Sequence, residues 1–249
     1  MPDIQLADIL AFGFFCLAWL GYHTLVEGAR AKHGGLNAMM DFYRLRWMDE
    51  MSHRETRIID GAIMASLQNG TAFFASTSLL ALGAAATLLR ATDDVLKIFS
   101  DVPFGMVTNR TVWEIKVVGM GIIFGYAFFK FSWSYRLFNY SAILLGATPS
   151  AQDPDVVRRR RTAWRAAQMN IAAARHFSRG QRAFFFALGY MGWFISPWVL
   201  LASTSGILLV MSLRQFASDA RAAVISLPPG EDVETPFTAG EVPADKTGG

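Results

Sequence analysis

The chain has 249 residues, of which 53% are hydrophobic and 17% charged, with a formal net charge of +3. An average soluble domain carries about 25% charged residues, so composition argues against a water-soluble globule. Such a globule would have to hide four long, nearly uncharged helices inside one small core. The single cysteine, Cys16, excludes an intrachain disulfide framework and a CxxC metal pair.

The predicted elements start with an apolar run over 6–26, followed by others over 62–89, 112–131 and 183–213. Each has at least the ~20 apolar residues that cross a ~30 Å hydrocarbon core as a helix. The first run has an acidic leader (Asp3, Asp8) and is too long for a signal peptide, so it reads as a retained span. Trp19 and Tyr22 near its inner end suit the membrane interface. His23 and Glu27 follow at i and i+4 and share a helix face. The Gly34–Gly35 pair then breaks the chain. Over 36–60 the apolar positions Leu36, Met39, Met40, Tyr43, Trp47, Met51 and Ile58 recur mostly every three or four residues, which predicts an amphipathic helix.

The second span is strictly apolar only from about Thr71, after Ser66, Gln68 and Asn69, so 60–70 projects beyond the bilayer. The next loop is short, with one interfacial turn predicted at 94–99 and interfacial charges at Glu114 and Lys116. Gly121-x-x-x-Gly125 in the third span is a close-packing motif that suits approach of a neighbouring span. Trp133, Tyr135, Arg136 and Tyr140 form an interfacial belt, and helical pattern continues over 137–147 until Thr148–Pro149 ends it. Asp153–Pro154 reads as N-cap and first residue of a basic helix over 156–177, with Trp164, Ala167, Ile171 and Ala174 as its weak apolar face. In the fourth span Ser196–Pro197–Trp198 predicts a kink. The tail over 228–249 is rich in Pro, Gly, Asp and Glu and is expected to be disordered. The fold class is therefore an all-α integral membrane four-helix bundle over 1–227. Its second and third span helices extend into the cytoplasm, with further amphipathic helices in segments 27–61 and 132–182.

Charge orients the bundle. The first connection holds Arg30, Lys32, Arg44, Arg46, Arg54 and Arg57, and the third holds Arg158–Arg161, Arg165, Arg175, Arg179 and Arg182. The other side has only Arg90, Lys97, Arg110, Arg214, Arg221 and Lys246. The positive-inside rule puts the first and third connections in the cytoplasm, and four spans then place both termini outside. A bacterial inner membrane is the expected location. The run Arg158, Arg159, Arg160, Arg161 with Arg165 reads as topological charge facing anionic lipid headgroups, not as a nucleic-acid patch.

Several strings resemble a known family. Arg54-Glu55-Thr56-Arg57-Ile58-Ile59-Asp60 leads into the second span, and Phe73-Phe74-Ala75-Ser76-Thr77 lies within it. Tyr126-Ala127-Phe128-Phe129-Lys130-Phe131-Ser132-Trp133-Ser134-Tyr135-Arg136 ends the third, followed by Asn139-Tyr140, and Tyr22-His23 closes the first. Together, over roughly residues 5–225, they resemble the DUF599 family of four-span membrane proteins. The resemblance implies the fold and no activity.

Polar residues at membrane depth are the only functional pointers, because charge there is costly and is usually paired or wet. His23, Glu27, Asp60, Gln68, Asn69, Lys130 and Arg136 are predicted to meet at the inner mouth of the bundle. Two readings stand: a structural network locking three helices, or a pocket in which Lys130 or Arg136 holds an anion and His23 titrates. The spacing His23-x-x-x-Glu27 suits a metal, but two ligands are not a site, and His53 is the only third candidate. No Glu-x-x-His pair, matched histidine pair, GxGxxG, GxxxxGK[ST] or GxSxG occurs, so no cofactor is expected. The leading functional expectation is a non-enzymatic interaction or accessory protein with a membrane-protein partner. Small-solute or ion transport or sensing is the alternative, and a membrane enzyme comes third.

Overall fold

The computed structural model of the protein describes residues 6–31, 36–100, 109–216 and Ala223. The predicted break at Gly34–Gly35 and the tail over 228–249 lie outside the described residues. Among the described residues every regular element is helical. They are α1 (Leu6–Ala31), α2 (Leu36–Ser52), α3 (Ile58–Arg90), α4 (Thr92–Ser100), α5 (Arg110–Gly146), α6 (Val156–Tyr190) and α7 (Pro197–Phe216), with a 3₁₀ turn over Met191–Phe194 between the last two.

Local chemistry sets the ends of these helices. The Asn109 side chain accepts from the Thr111 N–H at 3.1 Å and starts α5. Asp155 caps α6 by accepting from the Arg158 N–H at 2.8 Å. The predicted cap, Asp153, instead accepts from the Asp155 N–H and shapes the approach to the helix. The turn at 94–99 is the nine-residue helix α4. The amphipathic segment over 36–60 divides: α2 ends at Ser52, and Ile58 opens α3.

At 1.5 Å per residue, α3, α5 and α6 are about 50, 55 and 52 Å long. A hydrocarbon core is about 30 Å thick, so all three outrun it. Among the described residues four helices are long and apolar enough to cross a membrane: 6–28 within α1, then α3, α5 and α7.

Two cores divide the bundle along its length. One, built on Phe15, Phe124, Phe131, Phe186, Tyr190 and Leu200, fills the apolar half. Phe74 stacks on Phe131 at 5.4 Å and meets Phe177 and Phe184 edge-on, which joins α3, α5 and α6. The other core fills the extension with Met48, Met51, Met64, Leu137, Phe138 and a run of alanines on α6. Small alanine faces let α6 lie close against α5, and the hydroxyls of Ser134 and Ser141 donate across that seam to the carbonyls of Ala173 and Ala166 at 2.7 and 2.9 Å.

The fourth predicted span is not one helix. Residues 183–190 finish α6, and α7 then returns antiparallel to it. The Ser203 hydroxyl donates to the Gly189 carbonyl at 2.7 Å. Ser196–Pro197 is the start of a helix, not a kink within one. Ser196 Oγ accepts from the Val199 N–H at 3.1 Å, and Pro197 occupies the first turn, where its missing N–H is no loss. The reversal moves the far end of α7. The Tyr22 hydroxyl reaches the Met211 carbonyl at 3.1 Å, and Asn37 reaches Gln215 at 3.2 Å. The start of α1 therefore lies at one end of the apolar bundle and the end of α7 at the other. The expectation that both termini share one side assumed a single fourth helix, and this return replaces that helix with two antiparallel ones.

Glycine placement also differs from the motif reading. Gly121 faces Leu82 and Ala85 of α3 at ordinary contact distance, and a Cβ at Gly125 would meet nothing within 4 Å. Close approaches occur at Gly119, against the Tyr190 ring, at Gly180, against the Phe131 ring, and at Gly192. There a Cβ would lie 2.9 Å from the Val199 carbonyl oxygen, in the turn itself. Gly192→Val is expected to lower the melting temperature of the detergent-solubilised protein, at an overpacking cost of about 1–3 kcal/mol. Gly125→Ala is expected to melt like the parent.

Candidate functional site

The polar groups at membrane depth fall into two sets, one at each end of the apolar bundle. Asp8 and Glu27 on α1 mark the two levels and are about 28 Å apart along the helix axis, close to the thickness of a hydrocarbon core.

At the Asp8 level α1, α5 and the 3₁₀ turn are tied together. Lys116 Nζ lies 3.6 Å from Asp8 Oδ1 and donates to the Trp193 carbonyl at 2.9 Å. Trp193 Nε1 donates to Asp8 Oδ1 at 2.7 Å. All three residues are buried. The expectation that Lys116 is an interfacial charge is thus corrected: its neighbour Glu114 pairs with Arg110 at 2.9 Å in solvent, whereas Lys116 points into the bundle. Sequence reasoning missed this lock because its partners are far apart in the chain, 77 residues for Lys116 and Trp193 and 185 for Asp8 and Trp193.

At the Glu27 level the partners are arginines of α6. Arg182 Nη2 donates to Glu27 Oε1 at 3.0 Å, and Arg179 Nε donates to the same oxygen at 3.3 Å. Arg182 Nη2 also lies 3.3 Å from His23 Nδ1. His23 and Glu27 therefore belong together, as their spacing implied, but their cation is on α6. Arg182 is buried, and its place is set by the packing of Ala183 and Phe186, which follow it on α6.

The other predicted members of the cluster disperse. Lys130 is half-buried over the Tyr126 ring, 5.1 Å from its centroid, and no carboxylate lies within ion-pair distance of it among the described residues. The carboxylates of the predicted cluster go to other cations, Glu27 to Arg179 and Arg182 and Asp60 to Arg54. Arg136 is exposed; its Nε donates to the Tyr140 hydroxyl at 2.6 Å, and its guanidinium sits over the Trp133 and Tyr140 rings. Gln68 donates to Asn139 at 2.7 Å, linking α3 to α5, and Asn69 is exposed. Asp60 lies about 21 Å along α3 from the Phe74 level. It is fully buried at the α2–α3 corner, where Oδ1 accepts from Trp47 Nε1 at 2.7 Å and from Arg54 at 2.9 Å. Arg57, in the same string, donates to the Thr148 and Pro149 carbonyls just beyond the end of α5.

The basic run also divides. Arg159 is buried, and its Nη1 donates to the carbonyls of Ala151 and Asp153 at 2.8 and 3.1 Å. Arg160 pairs with Asp49 of α2 at 3.4 Å. Only Arg158, Arg161 and Arg165 face outward. Of the five arginines expected to face lipid, these three are exposed.

His53 is exposed and pairs weakly with Asp49 at 4.0 Å, and no group of three metal-ligating side chains occurs among the described residues. The arrangement at the Glu27 level can hold two spans together and can concentrate positive charge, since one carboxylate serves two guanidiniums.

The model for the family described as "Protein of unknown function, DUF599" matches residues 10–220. No curated protein and no solved structure matches the chain.

Removing one member of a buried pair costs about 3–5 kcal/mol. Asp8→Asn is therefore expected to destabilise the detergent-solubilised protein strongly, and Glu27→Gln less, because Glu27 keeps 27% of its side chain in solvent. Lys130→Met is expected to be near neutral in the same melts.

Proposed function

The chain belongs to the DUF599 family, and we propose that it is a non-enzymatic interaction protein of the membrane, anchored by its apolar bundle and working through its helical extension. The observation that carries this reading is the extension itself. It has its own packed core of α2, α3, α5 and α6. Its corner is held by the Asp60–Arg54 pair and by Arg57 beyond the end of α5. Such a rod positions a surface at a fixed height above the membrane.

The exposed arginines sit at the far end of that rod. Arg165 and Arg158 are about 25 and 36 Å along α6 from Arg182, several times the ~8 Å screening length at physiological ionic strength. At that height attraction to a lipid surface is screened, so we assign Arg158, Arg161 and Arg165 to an acidic patch on a protein partner. The inner-mouth residues favour the locking role over transport: Glu27 is committed to two arginines, and Lys130 and Arg136, the cations of the transport reading, line neither the cavity beside Tyr22 nor the one beside Asp8.

The same reading orients the protein in a bacterial inner membrane with the extension in the cytoplasm. With α7 returning, Arg214 joins the basic side, which strengthens the positive-inside bias. The N-terminus is then outside and the C-terminus inside. Reporters fused ahead of Met1 and after Gly249 are expected to behave as periplasmic and cytoplasmic, respectively. Two reporters on one side would overturn the orientation. For the interaction itself, the triple variant R158E/R161E/R165E is expected to melt like the parent and to lose the proteins that copurify after gentle extraction. An unchanged set of copurifying proteins would overturn the assignment of the partner surface.

A further inference from the structure

Beyond the interaction role, a polar cavity of about 190 Å³ lies where the inner ends of α1, α6 and α7 meet the start of α2. Its polar wall is Tyr22, Asn37, Gln181, Arg182, Arg214 and Gln215. Among the described residues no carboxylate lines it. Glu27, which follows the lining residue Val26, is shared by Arg179 and Arg182, so its one negative charge does not cancel two guanidiniums. Arg214 adds a further cation at the rim. Arg182 is 5% exposed, so its charge sits where water screens it poorly.

The donors are well placed for an anion. A guanidinium carries five N–H donors, and the Arg182 contacts to Glu27 and His23 both use Nη2. The Tyr22 hydroxyl is held by the Met211 carbonyl, and the Asn37 amide by Gln215 Oε1, which leaves the Gln215 amide N–H groups available to a ligand. The opposite wall is apolar, with Val26, Leu36, Phe185 and Met211.

We propose that this cavity binds a phosphate-bearing anion. Arginine forks match phosphate oxygens in charge and geometry, and flanking amides add neutral donors. Two sources share this chemistry. A phospholipid headgroup would enter from the bilayer boundary, with its glycerol and first methylenes on the apolar wall. A soluble phosphate would enter from the extension side.

The test uses the full-length protein in a neutral maltoside detergent, with melting temperature as the readout. The probes are inorganic phosphate, phosphatidylglycerol in mixed micelles, and phosphatidylcholine as a zwitterionic control, with chloride matching ionic strength. A saturable rise with phosphatidylglycerol alone supports the site and assigns it to lipid. A saturable rise with inorganic phosphate supports it and assigns a soluble ligand. In either case Arg214→Gln, at an exposed position, is expected to leave the unliganded melt unchanged and to weaken binding at least tenfold. Arg165→Gln, at the distant tip, is expected to bind as the parent does. Should Arg214→Gln not fold, Gln215→Leu provides the same comparison. No rise with any probe, an equal rise with phosphatidylcholine, or a rise indifferent to these cavity variants overturns the proposal.

Discussion

The contact on which the rest of the bundle depends is the knot of Asp8, Lys116 and Trp193. An ion pair in an apolar surround survives only if its remaining hydrogen-bonding capacity is used. Here Lys116 spends a second donor on the Trp193 carbonyl, and Asp8 accepts the Trp193 indole N–H. The backbone of the 3₁₀ turn is thereby fixed against both α1 and α5. Once that turn is fixed, α7 must run back along α6. The closeness of Gly192 to Val199 makes the reversal sharp.

The return of α7 creates the arrangement at the Glu27 level. It brings Met211 to Tyr22 and Gln215 to Asn37, and it turns Arg214 toward the gap beside Arg182. Glu27 then has a structural task, which is to hold α1 against α6 by a shared carboxylate. Its two arginines keep an excess of positive charge at the same level. A lock and a binding cavity are thus neighbours that share Arg182.

The extension follows a different logic. Alanines along α6 permit close helix approach, and the hydroxyls of Ser134 and Ser141 add hydrogen bonds across the α5–α6 seam without bulk. At its corner the string 54–60, which carries much of the family resemblance, supplies Arg54, Arg57 and Asp60. These side chains close the turn between α2 and α3 and meet the carbonyls after α5. The family resemblance and the structural corner therefore coincide in this chain.

By itself the sequence determined the first three long apolar helices, the all-α class, the excess length of α3 and α5 over a hydrocarbon core, and the placing of His23 and Glu27 on one face. Each of these depends on hydropathy or spacing within a few turns, which is local information. Tertiary structure alone decided the reversal at 191–196, the burial of Lys116 and Asp60, and the dispersal of Lys130, Gln68, Asn69 and Arg136. Residues 183–213 read as one apolar run because a buried turn is as apolar as the helices beside it. The inner half of α6 carries Arg179, Gln181 and Arg182, too polar to read as a crossing helix in a linear scan. It enters the bundle because Glu27 and the surrounding helices shield those groups from lipid, and that shielding exists only when elements distant in the chain are packed together.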